Sequence, residues 1–113
     1  MLNAQLMSAA NAATSKVSPP YQKGDLNNYS VQFVFSSATL AGAVSLDCSN
    51  DIGPNPTTWI QVSGSSITIA AGEAAMINVS NGAYRWVRAV WTPTAGTGTV
   101  TCDLTVVQPS NRY

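Results

Sequence analysis

The run YRWVRAVWTPTAGTGTVTCDLTVV, residues 84–107, holds two alternating segments separated by a turn. In the second segment Val100, Cys102, Leu104 and Val106 alternate with Thr101, Asp103 and Thr105, the period of a strand with one face in a core. In the first, Tyr84, Trp86, Arg88 and Val90 share one face while Arg85, Val87, Ala89 and Trp91 share the other. Neither face of this strand is plainly polar. Val87, Ala89 and Trp91 suit a cover of opposing sheet, which turns Tyr84, Trp86 and Arg88 outward. The competing reading turns Tyr84 and Trp86 inward, with the arginine stems lying along the strand ends. Between the segments, Gly96 and Gly98 fit a hairpin turn or bulge. Their Gly-Thr-Gly spacing is no phosphate cradle, because it leads into a strand and not into a helix N-terminus.

The same period extends upstream. YSVQFVFSS places Tyr29, Val31, Phe33 and Phe35 on one face, and AVSLDCSN places Val44, Leu46 and Cys48 inward, so the two are expected to pair as a hairpin. A loop rich in Asn, Asp, Gly and Pro follows at residues 49–58, then short strands in TWIQVS, SITIA and AAMINVS. The expectation is an all-β fold: one β-sandwich or jelly-roll domain of seven or eight antiparallel strands over residues 29–107. Residues 108–113 form a C-terminal tail. Residues 1–28 read as an N-terminal arm, a weak Ala-rich helix or an extended segment that ends at Pro19-Pro20. Removing residues 1–20 is then expected to leave the domain folded and to weaken its attachment to a partner.

Composition narrows function. Five basic residues balance five acidic ones, so no long-range field draws in nucleic acid or an anionic membrane. No window carries the run of apolar residues that a spanning helix needs, and the uncharged, interrupted N-terminus does not read as a secretory signal. Histidine is absent, which removes the commonest general base and the usual zinc ligand. The carboxylates Asp25, Asp47, Asp51, Glu73 and Asp103 show no spacing that singles out a catalytic pair. The chain is expected to be no enzyme and to use no cofactor. Asp47, Asn50, Asp51 and Asn55 concentrate oxygen atoms in one loop, which fits either a Ca²⁺ site or, more simply, Asx-turn capping. Cys48 and Cys102 lack metal spacing and are expected as two buried thiols, not a bridge.

What remains is binding. Aromatic residues and Arg are enriched at protein interfaces, so Tyr84, Trp86 and Arg88, with Leu2 and Leu6 of the arm, are the candidate contact residues. A carbohydrate-binding module using Trp59, Trp86 or Trp91 is the alternative from another class.

The runs SNDIGPNPTTWIQVSGSSITI, residues 49–69, and INVSNGAYRWVRAVWTPTAGTGTVT, residues 77–101, resemble small virion proteins of tailed and related bacteriophages. The shared order is Ser-Asn-Asp in a loop, a Trp strand, Ser-Ser before an apolar strand, Asn-x-Ser-Asn before Tyr-Arg-(Trp or Phe)-Val-Arg, then Gly-Thr-Gly-Thr. The likeness spans about residues 29–107, and the Ile52–Pro56 insertion and residues 1–28 depart from it. It implies a compact β-sandwich that decorates or cements the capsid exterior, assembled in the bacterial host cytoplasm. The implied partners are the major capsid protein or other virion proteins, and further copies of the chain in a homo-oligomer. A tail or fibre-base component is the alternative within the virion.

Overall fold

The structure, a computed structural model, describes residues 2–23 and 27–107, with the side chains of Leu2 and Val107 left aside. The described residues form ten strands and no helix: β1 Leu2–Asn11, β2 Lys16–Val17, β3 Tyr21–Gln22, β4 Asn28–Phe35, β5 Ala41–Ser49, β6 Ile60–Gln61, β7 Ile67–Ile69, β8 Ala75–Val79, β9 Trp86–Ala95 and β10 Thr99–Val107. They pair antiparallel in two sheets. The first sheet runs β1-β10-β4-β8. The second centres on β9 and β5, with β2 and β3 along the far side of β9 and β6 and β7 along the far side of β5.

Alternation produced the core as expected. Val31, Phe33, Val100, Cys102, Leu104 and Val106 from the first sheet meet Val44, Leu46, Val87, Ala89 and Trp91 from the second, all without solvent exposure. Trp91 is the largest of these. Its ring lies 4.7 Å from that of Phe35 across the sheets, and its indole N–H donates to the Ala12 carbonyl at 2.9 Å. A buried indole left without that acceptor would carry the desolvation cost of its N–H.

Three expectations change. β4 and β5 are not a hairpin, because residues 36–40 carry the chain from one sheet to the other. The glycine turn between β9 and β10 is likewise a corner between sheets and not a hairpin. At Gly96, with φ of 90°, a Cβ would stand 2.1 Å from the Thr39 carbonyl oxygen, so the two corners pack backbone to backbone where only glycine fits. Alternation shows which face of a strand is buried but not which strand lies beside it.

The third change concerns residues 1–28. The described part takes the extended form and not the weak helix, and it is built into the sandwich. β1 runs the length of β10, from Leu2 opposite Val106 to Asn11 opposite Thr99, and Leu6, Met7 and Ala12 are core residues. β2 and β3 then cross to β9, with buried Ser18 exchanging hydrogen bonds with Ala89: its N–H donates to the Ala89 carbonyl and its Oγ accepts from the Ala89 N–H. Small Ala and Ser side chains, weak as a helix face, suit an edge strand against an already filled core. These strands raise the count above the expected seven or eight. Residues 108–113, the expected tail, lie outside the described residues.

Candidate assembly surface

β9 and β5 form the middle of the second sheet, and their outward side chains meet in register: Trp86 opposite Ser49, Arg88 opposite Asp47, Val90 opposite Ser45, Thr92 opposite Ala43. β2 extends the Val90 row with Val17, an exposed apolar side chain. Arg88 closes on Asp47 with Nε and Nη2 each 3.0 Å from the same carboxylate oxygen. Its guanidinium carbon also lies 4.2 Å from the Trp59 ring centroid. Charge cancels within the pair, while a flat cation-aromatic stack faces outward. The outer face is thus a shallow, electrically neutral surface of small and apolar groups around one fixed arginine.

The loop after β5 folds down beside this stack. Asp51 Oδ2 accepts from the backbone N–H groups of Thr57 and Thr58 at 2.7 and 2.8 Å, and these bonds hold its carboxyl below the usual range. Asn50 Oδ1 accepts from Arg85 N–H at 3.1 Å, and the Asp51 carbonyl accepts from the Trp86 indole N–H at 3.1 Å. The Ile52–Pro56 segment is therefore part of a flap over Trp86. A cleft of about 380 Å³ runs between them, lined by Gln22, Ile52, Pro54, Arg85 and Trp86 among others. Asp47 pairs with the Arg88 side chain, while Asn50 and Asp51 accept from backbone N–H groups, and no three His, Cys, Asp or Glu side chains converge among the described residues.

The sequence candidates do not gather on one surface. Arg88 is partly exposed on the outer face. Trp86 points the same way but is only 9% exposed beneath the flap. Tyr84 precedes β9 and turns into the open end of the sandwich, where its hydroxyl meets that of Tyr29 and the rings stand edge to face at 81°. Lys23 Nζ sits 4.5 Å from the Tyr84 ring centroid and bonds to the Gly82 carbonyl and to Asn27 Oδ1. Burial pushes both tyrosine hydroxyls up in pKa. Leu6 is in the core. The Leu2 side chain lies outside the described residues.

The three tryptophans present no open platform: Trp91 is core, Trp86 is capped, and Trp59 is stacked under Arg88. Cys48 and Cys102 are free thiols on different sheets. Cys102 is buried as expected and its thiol is pushed up to about 12, while Cys48 is only half-buried near the sheet end. Sequence reading did not bring Trp59 and Asp47 together with Arg88. The outward phase of Asp47 was legible, but which strand lies beside which was not.

No family model and no curated protein matches this chain. Among solved structures it is similar to a chain of the Bacillus endospore appendages, which form a family of disulfide-linked pili, at 18% identity over 95% of this chain and 88% of that one, with a TM-score of 0.39. Superposition at that level says nothing about what this chain does.

Proposed function

We propose that this chain is a non-enzymatic structural protein of a bacteriophage virion, a decoration or cement subunit that binds the capsid exterior and stabilises the head lattice. The observation that carries the reading is the ordered resemblance of about residues 29–107, Ile52–Pro56 apart, to small phage virion proteins. The neutral outer face of the second sheet supports it, because Arg88 held by Asp47 and stacked on Trp59 is pre-organised for contact and loses little side-chain freedom on docking. The partners are the major capsid protein or neighbouring virion proteins, together with further copies of the chain.

Electron microscopy of phage particles carrying a tag at the C-terminus tests the reading. Density dispersed over the shell is the expected result. A focus at one vertex or along the tail would move the protein to the tail or a fibre base, and particles without any label would end the virion reading. Arg88→Ala is expected to lower particle occupancy while leaving the circular dichroism spectrum unchanged.

A further inference from the structure

Each sheet edge exposes backbone N–H and C=O groups that can pair with another chain, and native sheets blunt such edges with bulges, prolines or very short strands. The described edges here follow that rule with one exception. β1 has register shifts between Gln5 and Met7 and between Met7 and Ala10, with Ala9 in the left-handed region at φ 45°. β2 and β3 are two residues each and are separated by Pro19-Pro20. β6 and β7 are two and three residues long. β8 has none of these features: Ala75–Val79 pairs with β4 through five consecutive residues without a shift, and contains no proline and no charge.

From this contrast we infer that β8 is a self-association edge, on which β8 of a second copy pairs antiparallel about a two-fold axis at Ile77. The second copy is the occupant that the strand's own chemistry selects. Under that symmetry Ile77 faces Ile77, Met76 faces Asn78 and Ala75 faces Val79, so no charged side chain meets another along the five paired residues. With zero formal net charge the chain has no global repulsion to keep copies apart. The seam also has an apolar flank. Met76, 48% exposed, is opposite Gln32 on β4, and Val34, 40% exposed, is its diagonal neighbour on the same outer face. Pairing would join two four-stranded sheets into one of eight strands and bury Met76 against the partner's outer face. The inference concerns the isolated protein and holds whatever larger particle it sits on.

Sedimentation equilibrium over a concentration series tests it. Wild-type protein is expected to populate a dimer. Met76→Lys with Asn78→Lys places like charges opposite each other in the seam and is expected to abolish the dimer, with an unchanged circular dichroism melt of the monomer because both positions are exposed. Met76→Lys with Asn78→Asp places opposite charges there and is expected to restore association. A wild-type chain that stays monomeric throughout, including one whose edge pairs only with a different protein, overturns the proposal. So does a dimer that survives the double lysine change. Restoration failing in the Lys/Asp variant overturns the two-fold at Ile77.

Discussion

At one margin of the four-stranded sheet β1 pairs with β10 over ten residues, bulges twice and turns Leu6 and Met7 into the core. At the other margin β8 runs straight for five residues and leaves Met76 and Asn78 exposed. Two strands of one sheet, equally uncharged, thus end it differently. The first ends the sheet in a bulged edge; the second ends it in a regular one, the edge proposed above for self-association. The difference teaches that composition alone does not protect an edge, since backbone irregularity does the work at β1 that charge would do in a more polar chain.

The largest expected effect breaks the closed margin outright. Deleting residues 2–11 strips β10 of its partner and removes Leu6 and Met7 from the core, so the shortened chain is expected to lose its cooperative thermal transition by circular dichroism. This reverses the expectation for a detachable arm. If the transition persists, β1 is an accessory and its contrast with β8 fails.

Next comes the contact that ties the end of β1 to the second sheet. Trp91→Ala removes a fully buried ring and frees the Ala12 carbonyl, which should lower stability by about 3–5 kcal/mol in urea unfolding. Trp91→Phe keeps most of the apolar volume but not the indole N–H, and should cost less.

A smaller change sharpens the comparison at the bulge. Ala9 holds a left-handed conformation that costs an L-residue roughly 1–2 kcal/mol. Ala9→Gly relieves it, and after the extra entropy of the unfolded glycine a gain of up to about 1 kcal/mol is expected in the same assay. A loss of stability instead would mean that the bulge carries no strain.

Two smaller readouts concern the β1 margin and the flap. Cys102 lies opposite Met7, with its thiol buried and raised to about 12, so a thiol reagent at mild pH should modify Cys48 first and Cys102 only when the β1 margin opens. The flap, which follows β5 of the other sheet, provides an internal control. The native Asp51 carboxyl is depressed below its ordinary value of 3.8. Its contribution is therefore full above that value and is lost as pH falls through the native pKa. Trp86 emission should shift to the red only in that acid window, and Asp51→Ala should show the shift already at neutral pH.

Much of this protein was legible in residue order. Period-two alternation in residues 29–35, 44–46 and 100–106 marked the all-β class and most of the core, because a side chain's face follows from its parity along a strand. The phase of Val87, Ala89 and Trp91 was likewise right. What the tertiary structure alone decided was adjacency: β4 and β5 in different sheets, β9 and β10 joined by a corner, residues 2–11 laid along β10, and the Asp51 loop closed over Trp86. Alternation is a local property of one strand, whereas partner choice, edge position and capping depend on contacts between residues up to about a hundred positions apart, and nothing in the pattern of a single segment records them.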